Sequence, residues 1–148
     1  MMLKLISAIA FWLVVVCVAN KIELSGKVME MAKELDKTCR TETGAPRDSL
    51  QKYIHGLMAD NEQFKCYIKC IMVQIDSLSD DGVFSLEAEL DNVPPEIREE
   101  GHRIVHDCKT TTGVDACDTA YQIHMCYNRS NPQLYAAVLH TFDFKIDE

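Results

Sequence analysis

The residues with the clearest chemistry are the cysteines, of which this chain of 148 residues has seven. Cys17 lies in residues 1–19, which have the basic start, the apolar run and the small final residues of a secretory signal peptide cleaved before Asn20. Cleavage removes Cys17 and leaves an even number of cysteines, which in a small secreted chain predicts disulfides throughout. We therefore expect a secreted, extracellular protein that is stabilised by three covalent cross-links.

Two histidine patterns are similar to those of metal sites and of hydrolytic enzymes. His102 and His106 are four residues apart, a spacing that can bind zinc on a helix, but Arg103 occupies the position at which zinc proteases need a glutamate. His106-Asp107 is similar to the His-Asp pair of secreted phospholipases A2, but the glycine-rich calcium loop of those enzymes is missing from the sequence. We predict no metal, no cofactor and no catalysis, with a phospholipase A2-like enzyme as a distant alternative.

Composition and charge restrict the class of partner. The chain is 47% hydrophobic and 26% charged, with a formal net charge of −8, which is ordinary for a globular domain. The acidic balance disfavours nucleic acid and anionic membrane surfaces. The uncharged run from Leu5 to Ala19 is shorter than the roughly 20 residues of a spanning helix, so we expect no stable membrane insertion.

Apolar residues recur at intervals of three and four through most of the chain after residue 20, and this periodicity predicts helices. Asn61 has the residue type of an N-cap and predicts a helix that ends near Leu78. A helix that begins at Asp48 should bury Leu50, Tyr53, Ile54, Leu57 and Met58. The other predicted helices run from Ile22 to Cys39, from Leu86 to Leu90, from the segment Val93-Pro94-Pro95-Glu96 onward, and from Asp115 to about Tyr127. No segment alternates with period two, so the predicted fold class is all-α.

The tail at residues 131–148 contains more apolar side chains than a frayed end usually has. They are Leu134, Tyr135, Val138, Leu139, Phe142, Phe144 and Ile146. The tail could form a seventh helix, cover a cavity mouth or meet a partner chain.

Cys66 and Cys70 are four residues apart, so on a helix they point the same way. They are better placed to reach two other helices than to bridge each other, because a disulfide needs its two Cβ atoms about 3.8 Å apart and aligned. The third predicted helix is therefore expected to be a central post tied to two neighbours. The spacing alone leaves the pairing of the six cysteines open.

The order of the cysteines resembles the six-cysteine pattern of insect odorant-binding proteins, a family that includes the pheromone-binding proteins. From Cys39 to Cys126 the intervening segments have 26, 3, 37, 8 and 8 residues. Further likenesses are Cys66-Tyr67-Ile68-Lys69-Cys70, Asp81-Gly82-Val83-Phe84, Val93-Pro94-Pro95-Glu96, and Asn131-Pro132 followed by Tyr135. The resemblance covers the whole chain after the signal peptide, that is, the helical domain at residues 20–130 and the tail, which is longer than in members that stop soon after the tyrosine-bearing segment.

This resemblance implies a bundle of six helices around an apolar cavity, with bridges Cys39–Cys70, Cys66–Cys117 and Cys108–Cys126. It implies a non-catalytic carrier of small hydrophobic, volatile odorants or pheromones through the aqueous lymph around chemosensory neurons. A chemosensory receptor is a further expected partner, and the expected state is a monomer or weak homodimer. The alternative function is a general extracellular carrier of other lipophilic molecules.

The resemblance and the helix faces together suggest ligand-binding residues. Val73 and Ser77 share a face with Cys70, and Ser77 matches a family position that can hydrogen-bond an alcohol or carbonyl. The other candidates for lining or closing the pocket are Met72, Phe84, Leu90, Ile104, Ala120, Ile123, Tyr127, Tyr135, Val138 and Leu139. Ordinary core packing is the alternative for each. His140, near Asp143, is a candidate for a pH-dependent switch in the tail.

Overall fold

The structure is a computed structural model that describes residues 26–141. Its helices are α1 (Gly26–Thr43), α2 (Arg47–Tyr53), α3 (Glu62–Gln74), α4 (Leu86–Asn92), α5 (Arg98–Cys108), α6 (Ala116–Ser130) and α7 (Pro132–Thr141), with a 3-10 turn at Pro95–Ile97. No β-strand occurs within this range, which confirms the all-α prediction; an isolated bridge joins Leu78 and Phe84. The predicted signal peptide and the tail residues Phe142, Phe144 and Ile146 lie outside the described residues.

The centre of the bundle is α3, which packs against α6 on one side and α1 on the other. Its buried side chains are Phe64, Tyr67, Ile68 and Met72. The helix begins where the sequence predicts, because the Asn61 side chain accepts a hydrogen bond of 2.9 Å from the Phe64 backbone N–H. An apolar face wrapped by two partners is the arrangement expected of a core helix.

Three disulfides connect this centre to the surrounding helices. Cys39–Cys70 joins α1 to α3, Cys66–Cys117 joins α3 to α6, and Cys108–Cys126 joins α5 to α6. These are the three pairs that the family resemblance implies. Cys66 and Cys70 reach two different helices, so α3 is a post tied to both of its neighbours.

Two helices are shorter than predicted, and local backbone conformation explains both. The second predicted helix was wrong beyond Tyr53, because the chain turns there and Gly56 adopts a φ of +75°. Leu57, which the prediction buried, is 61% exposed. The third was wrong beyond Gln74, because Asp76 has a φ of +60° and redirects the chain before Ser77.

Side-chain caps define the starts of α4 and α6. The Ser85 Oγ accepts from the Ala88 backbone N–H at 3.4 Å, and the Asp115 Oδ1 accepts from Asp118 N–H at 2.8 Å. In the predicted tail, residues 132–141 form α7, which packs against α6. Among residues 26–141 we find no helix with the length and apolar character needed to cross a bilayer.

Removing a disulfide should destabilise the fold in proportion to the loop that it closes. Cys66–Cys117 spans 51 residues and Cys108–Cys126 spans 18. Replacing both cysteines of the first pair by alanine should lower the free energy of unfolding by about 4 kcal/mol, against about 3 kcal/mol for the second pair. Guanidinium denaturation of the two double variants measures both losses, and a larger loss for Cys108–Cys126 would contradict the loop-length argument.

Candidate functional site

A cavity of about 330 Å³ lies between the helices. All of the helices named above contribute to its wall, together with Val93, Pro94 and Asn131 from the connecting segments. Its volume is at the small end of the range for ligand pockets in proteins, roughly 300–1,000 Å³. It is therefore large enough for one small organic molecule.

The wall is mostly apolar. Its aliphatic side chains come from α1, α3, α5 and α7, from the residue after α3 and from the segment before α5: Met31, Ala32, Leu35, Ile71, Ile75, Val93, Pro94, Ile97, Ile104, Val105, Leu134, Val138 and Leu139. Polar wall residues are fewer: Asp36, Tyr53, Tyr67, Glu89, Asn92, His124, Tyr127, Asn131 and Tyr135. An apolar wall with a few oriented polar groups is typical of small-molecule sites.

Several residues predicted from the sequence lie on this wall. They are Ile104 of α5, Tyr127 of α6, and Tyr135, Val138 and Leu139 of α7. Helix α7 thus covers one side of the cavity, which is one of the three arrangements considered for the tail. His140 does not line the cavity. It is exposed, and the centre of its ring lies 5.9 Å from that of the His55 ring.

The other predicted residues lie in the core around the cavity instead of on its wall. Met72, Ala120 and Ile123 are 1%, 0% and 0% exposed, and they lie on α3 and α6, which pack against each other. Val73, Phe84 and Leu90 are partly buried and pack against the same core. Helical periodicity identifies them as inward-facing, but it does not distinguish a side chain that fills the core from one that borders a cavity.

Ser77 is also absent from the described wall, and the early end of α3 gives the reason. Because the chain leaves the helix after Gln74, Ser77 no longer continues the face of Cys70 and Val73. Its side chain is completely buried, and its Oγ accepts a hydrogen bond of 3.2 Å from the Asn92 side chain. The expectation that Ser77 continues that helix face toward the ligand is corrected accordingly.

The sequence reasoning missed the wall residues on α1 and on one face of α3. Tyr67 and Ile71 lie four residues apart on α3 and border the cavity, and Ile75, the residue just after the helix, borders it too. Met31 and Leu35 form a similar pair on α1. The helical periodicity of the sequence contains this signal, but the cysteines of α3 direct the prediction to another face of the helix.

A polar cluster joins α2, α6 and α7 at the cavity wall. The hydroxyls of Tyr53 and Tyr135 lie 3.1 Å and 2.8 Å from Nδ1 of His124. In the neutral ring that carries its proton on Nε2, the single lone pair of Nδ1 accepts a hydrogen bond from one of these two phenols at a time. Burial lowers the pKa of His124 to about 4 and raises that of Tyr53 to about 12. The cluster attaches the covering helix α7 to the core.

A second polar group lies where α1 meets α3. Tyr67 donates a hydrogen bond of 2.9 Å to Asp36, and Arg40 forms an ion pair of 2.8 Å with the same carboxylate. Burial, and then the negative charge of Asp36, hold the pKa of Tyr67 well above its ordinary value. The polar atoms of Asp36 are thus used within the protein.

The cavity approaches the surface beside α7. Ile97, Asn131 and Leu134 line both the cavity and a shallow surface depression. The depression is otherwise lined largely by charged residues: Glu96, Arg98, Glu99 and Glu100. The cavity and the surface depression therefore share part of their lining beside α7.

The two histidine patterns form no shared site. His102 Nε2 is 3.1 Å from the Leu90 carbonyl oxygen, whereas His106 Nε2 is 2.9 Å from Lys109 Nζ. Asp107 pairs with Arg103 at 3.2 Å instead of with His106. Glu62 lies close to Cys66 and Cys117, but these two sulfurs are bonded to each other and offer no thiolate.

Comparison with known proteins identifies relatives over most of the chain. Residues 21–130 match the model of the PBP/GOBP family. General odorant-binding protein 69a of Drosophila melanogaster is 28% identical over 107 residues, which are 72% of this chain and 72% of that protein.

Solved structures give the same result. The crystal structure of the Locusta migratoria odorant-binding protein lmigOBP1 matches with a TM-score of 0.79 and 57% identity, over 86% of this chain and 99% of that one. Odorant-binding protein 7 of Anopheles gambiae, solved in complex with an azo compound, matches with a TM-score of 0.68 and 25% identity, over 79% and 97% of the two chains.

The lowered pKa of His124 predicts a pH dependence of stability. Between its ordinary value of 6.5 and about 4, the unfolded chain binds a proton at His124 that the folded chain does not. The free energy of unfolding should therefore fall as the pH falls through this window, by up to about 3 kcal/mol. His124→Gln, which does not titrate, should remove this contribution.

Denaturation of the wild type and of His124→Gln at several pH values measures the contribution of His124 to the free energy of unfolding. The difference between the two proteins is the informative quantity, because burial raises the pKa of Glu89 and gives a dependence of opposite sign in both. Parallel stability curves for the two proteins would show that His124 is not the group responsible.

Proposed function

Since this chain belongs to the PBP/GOBP family, we propose that it binds small hydrophobic odorants or pheromones in its cavity and carries them through aqueous lymph to chemosensory receptors. The family consists of odorant-binding carriers, not enzymes. The observation that supports the proposal most strongly is the apolar cavity of about 330 Å³ at the centre of the bundle.

The apolar wall provides the free energy of binding. Removing apolar ligand surface from water contributes roughly 25 cal/mol per Å². A volatile hydrophobic molecule has little affinity for water, so it gains by entering a cavity lined by residues such as Ile71, Val105 and Leu134. The protein thereby raises the amount of ligand that an aqueous fluid can hold.

The fold suits a cavity that must persist without collapsing. Unfilled core volume destabilises a protein, by about 24 cal/mol per Å³ in one series of core truncations. Each disulfide offsets part of this destabilisation, because it restricts the unfolded chain and thereby stabilises the fold, typically by 2–4 kcal/mol. The three bridges all involve α3 or α6, the two helices at the centre of the bundle.

We place the protein outside the cell. The family is extracellular, and disulfides persist in oxidising compartments. Residues 1–19 have the pattern of a secretory signal peptide. The lymph of chemosensory sensilla is the specific compartment that we propose.

Filling part of the cavity should weaken ligand binding. Val105 lines the cavity and is 4% exposed, whereas Val114 is 93% exposed, lies in a loop and does not line the cavity. Val105→Phe should weaken binding of the fluorescent probe N-phenyl-1-naphthylamine by about ten-fold or more, equivalent to 1.4 kcal/mol. Val114→Phe makes the same change on the surface and should bind like the wild type.

Fluorescence titration measures both affinities, and circular dichroism verifies that each variant keeps its helices. Unchanged probe binding by a folded Val105→Phe would place the ligand outside the cavity. Displacement of the probe by volatile alcohols, aldehydes and esters, with expression confined to antennae, would agree with the olfactory role. Expression in gut or gland would favour a general carrier of lipophilic molecules.

A further inference from the structure

Two polar atoms at the cavity wall have no hydrogen-bond partner. They are Oε2 of Glu89 on α4 and the hydroxyl oxygen of Tyr127 on α6, and both are buried. Both residues line the cavity. Buried polar groups in proteins are nearly always hydrogen-bonded, so two unpartnered atoms at one cavity need an explanation.

The protein does not complete these groups by itself. No cation between residues 26 and 141 forms an ion pair with Glu89. The Ser77 and Tyr127 hydroxyls lie close enough to the Glu89 carboxyl group to lower its pKa as hydrogen-bond donors, but neither forms a hydrogen bond of ordinary length and angle with Oε2. The effect of burial is larger than the effect of these two hydroxyls and raises the pKa of Glu89, so the carboxyl group is in an apolar environment.

The other polar groups on the wall differ from this pair. Asp36 accepts from Tyr67 and pairs with Arg40, and His124 is bonded to Tyr53 and Tyr135. Glu89 and Tyr127 interact electrostatically across the gap between α4 and α6, and this interaction raises the pKa of Tyr127 after burial has done so. They are thus close together and oriented toward one region of the wall.

We infer that Glu89 and Tyr127 form a polar anchor that binds the hydroxyl group of an aliphatic alcohol. This inference rests on the proposed carrier function and specifies the ligand class. The hydroxyl of the ligand donates to Oε2 of Glu89 and accepts from the Tyr127 hydroxyl, while its hydrocarbon chain lies against the apolar wall. Both unpartnered atoms are then satisfied by one ligand group.

Other head groups complete this anchor less well. The oxygen of an aldehyde, ester or ether only accepts hydrogen bonds, so it can bond Tyr127 but offers no donor to Glu89. A hydrocarbon satisfies neither group. A protonated amine donates but accepts nothing, and it must also lose its hydration shell on entering the cavity.

The test compares two isomers that differ in one hydrogen-bond donor. 1-Decanol and 1-methoxynonane have the same atoms, but only the alcohol can donate. Competition with N-phenyl-1-naphthylamine on the wild-type protein should show about ten-fold tighter binding of the alcohol, since a hydrogen bond to a charged or buried partner has that order of effect. Decanal should bind like the ether.

Variants then assign the preference to the anchor. Glu89→Leu should weaken 1-decanol by about ten-fold and leave 1-methoxynonane unchanged, whereas Tyr127→Phe removes a donor that both ligands use and should weaken both. Tyr121→Phe is the matched control, because Tyr121 also lies on α6 but does not line the cavity. It should keep the full preference for the alcohol.

The outcomes separate this inference from the carrier function. Equal affinities of the two isomers for the wild type, or a full alcohol preference in Glu89→Leu, would overturn the anchor while leaving the carrier intact. Tighter binding of decylamine than of 1-decanol would assign the pair to a cation instead. Failure of the probe and of all these ligands to bind would reject the carrier function itself.

Discussion

Helix α3 lies between α1 and α6 and carries two disulfide cysteines on one face. Other side chains of the same helix border the cavity. The cysteines are Cys66 and Cys70, and the side chains at the cavity are those of Tyr67 and Ile71, with Ile75 just after the helix. Because the same helix is cross-linked on one face and exposed to a cavity on another, its neighbours are held in place by covalent bonds as well as by packing. This allows an interior that side chains do not fill.

A cavity of this kind gains specificity from the few polar groups in its wall. The His124 cluster is bonded across α2, α6 and α7, so its polar atoms serve to attach the helix that covers the cavity. Asp36 is likewise satisfied by Tyr67 and Arg40. Glu89 and Tyr127 keep unpartnered atoms at the wall. The polar groups therefore divide into those that hold the fold together and those available to a ligand.

Sequence reasoning predicted the helices well and the cavity wall only in part. Caps such as Asn61 and Asp115 are local signals, and the structure confirms them. The ends of α2 and α3 depend on positive φ at Gly56 and Asp76, and nothing in the helical periodicity of the sequence marks Asp76 as such a residue. Met72 and Ile71 are neighbours on one helix, yet only Ile71 borders the cavity, because that choice depends on where α1 and α5 lie. The polar pair joins two helices far apart in sequence, which no local pattern reveals.

The most direct test of this account is to locate a bound apolar molecule by X-ray diffraction. Crystals of the protein with 1-bromodecane would reveal the bromine by its anomalous scattering. We predict a single bromine inside the cavity, with the chain in contact with Ile104, Val105 and Val138. Bromine found only in the charged depression near Glu96 and Glu99, or an interior closed by side chains, would contradict it.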